Sequence, residues 1–212
     1  MRTRVKICGI TRPADGEAAA QAGADAIGLV FYAKSPRCVE LSRAQGICRA
    51  LPPFISVVAL FVDAQREWVE EVLSVVPVDV LQFHGNESAA QCTGYGRPYI
   101  KAMGMQPSLD LQTVIQSHPE ACGFLLDAWQ PDIHGGGGIA FDWAQVPAST
   151  DRPLILAGGL TADTVGDAIV RTRPFAVDVS SGVELEKGIK SIEKMQAFIR
   201  GVERGDASKA NR

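Results

Sequence analysis

The sequence predicts an α/β protein folded as a single-domain (β/α)8 TIM barrel, compact and with a short or absent helix after the sixth strand. Eight short runs of apolar and β-branched residues alternate with longer stretches of helical spacing along the 212 residues. The runs are almost continuously apolar, which is typical of parallel strands that are covered on both faces. Eight such units of about 25 residues favour a closed barrel over an open sheet.

The strands are predicted where aliphatic and β-branched residues run between turn residues. In chain order they cover residues 5–8, 26–31, 56–62, 78–84, 99–103, 123–127, 154–157 and 175–179. Alternate residues of a strand point to opposite faces of the sheet. We therefore expect Lys6 and Cys8 on one face and Ile7 on the other.

The helices are predicted from apolar residues at helical spacing. In chain order they cover residues 13–22, 42–51, 65–75, 87–92, 108–117, 161–171 and 189–200. Asp15 fits a first helical turn, and Ser42 and Asn86 are expected to cap the second and fourth helices. Gly23 is expected to end the first helix.

Composition and charge exclude several classes of protein. A hydrophobic content of 46% allows one large core, which we assign to residues 1–204, and the polar residues 205–212 are expected to be a disordered tail. The net charge is -3 and no basic run is long enough to follow a phosphate backbone, so nucleic acid is not expected as a partner. The longest apolar stretch, 54–62, is far shorter than the roughly 20 residues that cross a bilayer. With no signal-peptide pattern at the start, a cytoplasmic protein with no membrane partner is predicted.

The cysteines and histidines are scattered. Five cysteines show no C-x-x-C spacing and three histidines form no close pair, so neither a disulfide framework nor a metal site is expected. Four of the cysteines are predicted to be small buried hydrophobic residues: Cys38, Cys48, Cys92 and Cys122.

Two glycine-containing loops predict a phosphate site. L-A-G-G-L at 156–160 follows the seventh strand, and D-V-S-S-G-V-E at 178–184 follows the eighth. Barrels commonly bind phosphate in these two loops, where Gly158, Gly159 and Gly182 would let backbone amides approach an anion. Either loop taken alone fits a simple turn equally well, but two in consecutive positions favour the site.

A third glycine cluster, Gly135 to Gly138, formally fits a dinucleotide-binding pattern. No apolar strand precedes it and no long helix follows it, so we reject that interpretation. A flexible loop beside the site fits the sequence better.

Cys8 ends the first strand and Asp127 ends the sixth, where a barrel gathers its catalytic groups. The ammonium of Lys6 is expected to lower the thiol pKa of Cys8 and so provide a thiolate base. Residues 128–131 do not resemble a first helical turn, so Asp127 is predicted to be a site carboxyl, and partial burial would let it act as a general acid.

Three further residues follow strand ends. Arg37 is either a solvated loop charge or the group that holds a substrate carboxylate. His84 fits a structural histidine at least as well as a contact at the catalytic rim. Asp178 either accepts hydrogen bonds from sugar hydroxyls or fixes the loop that follows it.

These residues lie within a series of motifs in a characteristic order. They are K-I-C-G-I-T (6–11), S-P-R (35–37), Q-F-H-G (82–85), L-L-D-A (125–128), F-D-W (141–143), L-A-G-G-L (156–160) and D-V-S-S-G-V-E (178–184). Together they closely resemble the phosphoribosylanthranilate isomerase family, a tryptophan-biosynthesis family with a (β/α)8 fold. The resemblance extends from about residue 5 to residue 200.

The resemblance implies an Amadori rearrangement of N-(5-phospho-β-D-ribosyl)anthranilate to 1-(2-carboxyphenylamino)-1-deoxy-D-ribulose 5-phosphate. It implies that Asp127 protonates the furanose ring oxygen and that Cys8 removes the C2 proton. Arg37 would hold the anthranilate carboxylate and Asp178 a sugar hydroxyl. The phosphate would lie against Gly158, Gly159, Ser181 and Gly182. No cofactor is implied, because the substrate nitrogen is itself the electron sink.

The sequence departs from the family pattern at two places. The family usually has G-T-G-K or G-S-G-K before F-D-W, whereas this chain has Gly135 to Gly138 followed by Ile139 and Ala140. The missing lysine and hydroxyl suggest altered loop closure, turnover or substrate tolerance. After L-A-G-G-L the family commonly has Asn-Pro, and here Thr161 is expected to cap the helix instead.

Two other functions were weighed against the isomerase. One is another sugar-phosphate isomerase or epimerase on the same barrel, including a broader enzyme that also acts on the related histidine-pathway intermediate. Such enzymes generally use two aspartates, so Cys8 argues against this alternative. The other is a catalytically inactive, phosphate-binding assembly subunit, against which the retention of both Cys8 and Asp127 argues. A monomer is the default expectation, and a dimer is left open.

Overall fold

The computed structural model describes residues 2–106, 109–128, 142–147 and 150–210. Eight parallel strands form a closed barrel in which each strand pairs with the next and the first pairs with the eighth. The strands are β1 (Arg4–Cys8), β2 (Ala26–Val30), β3 (Ser56–Phe61), β4 (Val80–Phe83), β5 (Tyr99–Met105), β6 (Gly123–Ala128), β7 (Leu154–Leu156) and β8 (Ala176–Val179). The predicted (β/α)8 fold is confirmed.

Helices cover the outside of the barrel. They are α1 (Pro13–Ala22), α2 (Leu41–Ala50), α3 (Arg66–Val75), α4 (Ala89–Cys92), α5 (Leu111–Ser117), α6 (Val165–Thr172) and α7 (Ile192–Ala210). In the described part of the connection from β6 to β7, the only helical element is a 3₁₀ turn, Trp143–Gln145. A short hairpin, β9 (Glu184–Glu186) and β10 (Ile189–Lys190), follows the 3₁₀ turn Ser181–Val183 after β8. Among the described residues, no helix is long and apolar enough to cross a membrane.

The alternation of residues along each strand divides the core in two. In β1, Val5 and Ile7 join the large cluster between the barrel and its helices, whereas Cys8 packs in a small cluster inside the barrel with Val30 and Leu60. The same alternation places Leu125 of β6 inside the barrel. Because Asp127 follows Leu125 by two residues, its side chain shares that inner face.

The predicted caps of α2 and α4 are wrong. Ser42 lies inside α2, because the helix begins one residue earlier and Glu40 is its N-cap, without a side-chain cap. Asn86 is not the cap of α4; Ser88 is, through a reciprocal capping box with Gln91. Glu87 lies before the helix, and its buried carboxylate accepts hydrogen bonds from the Asp63 and Gly85 amides and pairs with Lys101.

Other helix ends differ less from prediction. Gly23 ends α1 in the left-handed conformation, as expected, with φ of 106°. Thr161 accepts a hydrogen bond from the amide of Thr164, which is itself the N-cap of α6. The prediction that Thr161 caps the helix is therefore wrong; Thr161 lies in the turn that leads into it.

The C-terminal segment differs from the expected disordered tail. Helix α7 continues to Ala210, well beyond residue 200. Its Asp206 carboxylate accepts hydrogen bonds from the Thr3 amide at 2.6 Å and the Thr3 hydroxyl at 2.7 Å. The helix is retained there because the polar residues of its last turns are bonded to the residue that precedes β1.

We predict that Asp206→Ala lowers the free energy of unfolding by about 1–3 kcal/mol, since it leaves a buried amide and hydroxyl of Thr3 without their acceptor. Glu203→Ala, an exposed change in the same helix, is the matched control. Urea unfolding of both variants measures the difference. Equal stability of the two variants would contradict a structural role for the end of α7.

Candidate active site

Cys8 and Lys6 share the inner face at the end of β1, as predicted. The facing residue of β2 is Gly28, where a Cβ would lie 2.7 Å from Cys8 Sγ and 3.1 Å from Lys6 Cε. A residue with a side chain at position 28 would therefore displace both groups. The Cys8 side chain is buried among apolar residues, with only a small fraction of it exposed.

The pKa of the Cys8 thiol is governed first by burial and only second by the charges around it. Burial raises the pKa of the Cys8 thiol above its ordinary value, and the positive charges of Lys6 and Lys190 only partly oppose this increase. Lys6 donates to Asp178 Oδ1 at 2.8 Å, and this aspartate adds a negative charge that raises the Cys8 pKa further. Lys6 does lower the thiol pKa, as expected, but burial outweighs it, so the thiol pKa lies above rather than below its ordinary value.

Asp178 has a role that neither sequence alternative included. Lys6 and Asp178 are register partners where β1 meets β8, and their buried side chains form an ion pair inside the barrel. Asp178 also lines the small cavity between the loops after β7 and β8. It can therefore pair with Lys6 and still present an oxygen to a ligand.

Asp127 is held at the end of β6 by contacts to both of its oxygens. Oδ1 accepts a hydrogen bond from the Ala128 amide at 2.8 Å, and Oδ2 lies 3.2 Å from His84 Nε2. Gln82 Nε2 lies 2.9 Å from His84 Nδ1. Gln82 and Asp127 therefore contact the two different ring nitrogens of His84.

His84 is thus a direct contact of the predicted acid, at the rim position where the sequence left its role open. Gln82 was missed, although alternation from His84 places it on the same face of β4. Its side chain is fully buried, and its Oε1 has no hydrogen-bond partner among the described residues.

The two glycine loops enclose one small cavity. Its lining includes most of the predicted site residues: Asp127, Gly158, Gly159, Asp178, Ser181 and Gly182. Gly158 and Gly159 have φ of 76° and 64°, a conformation that favours glycine. At Gly182 a Cβ would clash with the Leu160 carbonyl oxygen, so the two loops touch through their backbones. The residues predicted to form the phosphate site therefore lie together around this cavity.

Arg37 is buried rather than a solvated loop charge. Its Nε and Nη2 donate to Glu184 Oε1 and Oε2 at 2.7 and 2.8 Å. Its aliphatic stem crosses Gly9, where a Cβ would lie 2.5 Å from Arg37 Cδ. Glu184 and its second partner, Lys190, were missed by the sequence reasoning. The signal available was a charged residue in the D-V-S-S-G-V-E motif without an assigned role.

The remaining cysteines differ in burial. Cys92 is buried and Cys48 partly so, but Cys38 and Cys122 are exposed, so the expectation of buried hydrophobic residues is wrong for these two. Among the described residues, no cluster of His, Cys, Asp and Glu could hold a metal ion. The Gly135 to Gly138 loop lies outside the described residues.

Comparison with known proteins identifies a family. Residues 5–201 match the family model of N-(5'-phosphoribosyl)anthranilate (PRA) isomerase. A protein of that name from Pseudomonas paraeruginosa is 56% identical over 199 residues, covering 94% of each chain. The same-named protein of Pseudomonas fluorescens is 56% identical over 205 residues, covering 97% of this chain and 98% of the other.

Solved structures of the family are also similar. The phosphoribosylanthranilate isomerase of Thermotoga maritima superposes with a TM-score of 0.87 at 38% identity, covering 95% of this chain and 98% of that one. A phosphoribosylanthranilate isomerase in complex with reduced 1-(o-carboxyphenylamino)-1-deoxyribulose 5-phosphate gives a TM-score of 0.84 at 36% identity, with the same coverage. The chain therefore belongs to the N-(5'-phosphoribosyl)anthranilate isomerase family.

Proposed function

We propose that this protein is an aldose-ketose isomerase that converts N-(5-phospho-β-D-ribosyl)anthranilate to 1-(2-carboxyphenylamino)-1-deoxy-D-ribulose 5-phosphate in L-tryptophan biosynthesis. The observation that carries the proposal is the meeting of Asp127, Asp178 and the two glycine loops around one cavity, with Cys8 beside Lys6 and Asp178. Its membership of the isomerase family supports the same reaction. The single barrel domain would carry the whole site.

The first step is ring opening. Asp127 in its acid form gives a proton to the furanose ring oxygen as the C1–O bond breaks and the anthranilate nitrogen forms a Schiff base with C1. The contacts from Ala128 and His84 fix the orientation of the carboxyl group. His84 is therefore a positioning residue for the acid.

The second step is proton removal from C2. The Cys8 thiolate takes the proton, and the electron pair moves through C1 to the positively charged nitrogen to give an enolamine. Tautomerisation of the enolamine gives the aminoketone product. Because the substrate nitrogen accepts the electrons, no cofactor is required. Lys6 and Lys190 stabilise the thiolate, although burial keeps its resting population small.

The remaining site residues bind the substrate in this proposal. Gly158, Gly159, Ser181 and Gly182 hold the phosphate, and Asp178 accepts a hydrogen bond from a sugar hydroxyl. Arg37 holds the anthranilate carboxylate. The relative solved with a reduced carboxyphenylamino-deoxyribulose phosphate supports a substrate of this class. A small phosphosugar would be the only partner needed, with a monomer in the cytoplasm as the expected form.

We predict that Cys8→Ser and Asp127→Asn each reduce kcat by about 100-fold or more, the usual contribution of a general acid or base. The measurement is the loss of anthranilate-type fluorescence after freshly generated phosphoribosylanthranilate is mixed with each variant. Cys48→Ser, at a cysteine on the outer helix α2, is the control and should keep wild-type activity. Wild-type rates in either site variant would remove that residue from the mechanism; no turnover by the wild type would overturn the proposed function.

We predict that Gly182→Ala raises KM at least tenfold, because the added methyl group forces apart the two loops that would bind phosphate. Gly46→Ala in α2 is the matched control, since a Cβ there meets no atom within 4 Å. Steady-state kinetics and inhibition by inorganic phosphate measure the effect. If Gly182→Ala retained the wild-type KM and phosphate affinity, the loops would not be the phosphate site.

A further inference from the structure

Arg37 has two hydrogen-bonding edges, and Glu184 occupies one of them. The side edge consists of Nε and one N–H of Nη2, both of which donate to the Glu184 carboxylate. The terminal edge consists of Nη1 and the other N–H of Nη2, and it has the same spacing for a carboxylate. Among the described residues, no hydrogen bond from Nη1 is found. The terminal edge is therefore available to a ligand.

Glu184 is also held by contacts with residues other than Arg37. Its Oε1 also accepts from Lys190 Nζ at 2.9 Å and from the Gly188 amide at 3.3 Å. Burial alone would raise the pKa of Glu184, but the hydrogen bond from Arg37 and the charge of Lys190 lower it. Glu184 is therefore ionised at neutral pH and holds both cations.

The hairpin that carries Glu184 is anchored to the segment that follows Cys8. Thr11 Oγ1 donates to the Gly188 carbonyl at 2.5 Å, and the Lys190 amide donates to Asp15 Oδ2 at 3.2 Å. The Arg37 stem lies on Gly9, directly after Cys8. These contacts fix the orientation of the Arg37 guanidinium relative to the Cys8 thiol.

The positive charges of Arg37 and Lys190 are not fully balanced by Glu184. Arg37 and Lys190 are two buried cations that share one carboxylate, and each interacts electrostatically with Cys8. Buried charges are normally compensated by a partner. Arg37, Lys190 and Glu184 together carry one excess positive charge beside Cys8, the proposed base. This charge suits a ligand whose carboxylate lies next to the atom from which the proton is removed.

We propose that Glu184, held by Lys190, is a positioning residue that turns the terminal edge of Arg37 towards the substrate's aryl carboxylate and so sets the preference of the site for a carboxylated N-aryl glycoside. The inference rests on the proposed function and deepens it. Glu184 acts through Arg37, whereas the phosphate and the reacting carbons are bound by other residues.

The test compares two substrates that differ in one group: phosphoribosylanthranilate and N-(5-phosphoribosyl)aniline, which lacks the carboxylate. Wild-type enzyme should favour the carboxylated substrate in kcat/KM. In Glu184→Gln this preference should fall roughly 10- to 100-fold, the factor expected for one hydrogen bond to a charged group, mainly through KM for phosphoribosylanthranilate. In the same variant, kcat/KM for the aniline substrate should change less than threefold.

Two further variants complete the experiment. Glu186→Gln, at an exposed position of β9, is the matched control and should leave the preference unchanged. Glu184→Asp keeps the charge but is one methylene shorter, so it should recover part of the preference. If Glu184→Gln does not fold, Glu184→Asp carries the comparison, with a loss of preference smaller than 10-fold but still greater than that of Glu186→Gln.

The possible results distinguish failure of the positioning role from failure of the proposed function. An equal loss of kcat/KM for both substrates in the Glu184 variants, or an unchanged preference, would overturn the positioning role while leaving the isomerase function intact. A wild-type enzyme that does not distinguish the substrates would also overturn it. A wild type inactive on both would overturn the proposed function and this inference with it.

Discussion

Lys6 and Asp178 form a buried ion pair across the seam where the first strand meets the eighth. Loss of one partner from such a pair leaves an uncompensated charge in the interior, which typically costs about 3–5 kcal/mol. Cys8 lies two residues beyond Lys6 on the same face, and Asp178 lines the cavity between the glycine loops. This ion pair therefore links the seam between β1 and β8 to the electrostatic surroundings of Cys8, the proposed base.

The other buried charges follow the same rule of compensation. Lys101 pairs with Glu87 and donates to two backbone carbonyls of the segment around His84. Arg37 and Lys190 share Glu184. Lys101 of β5 is joined in this way to the segment after β4, and Arg37 after β2 is joined to the segment after β8. Donors and acceptors are thus oriented before a substrate arrives, and they do not have to reorganise when charge develops during the reaction.

Sequence reasoning predicted the features that depend on local patterns. Alternation within β1 placed Cys8 and Lys6 together, and the position of Asp127 at a strand end placed it at the catalytic rim. It could not predict which charges would pair, because the Lys6–Asp178 contact joins residues from opposite ends of the chain. The predicted direction of the Cys8 pKa was wrong because burial of the thiol by neighbouring strands outweighs the effect of Lys6. The predicted cap at Asn86 was wrong because the capping box of Ser88 and Gln91 starts the helix two residues later, while Glu87 pairs with the distant Lys101.

The central claim is that the Cys8 thiolate is the base, and the pH dependence of kcat/KM tests it most directly. Burial raises the thiol pKa above its ordinary value, so the active thiolate form is depleted as pH falls below that pKa. We expect kcat/KM to rise with pH along a limb in the alkaline range, and Cys8→Ser to abolish that limb. An unchanged limb in Cys8→Ser would contradict the assignment of Cys8 as the base.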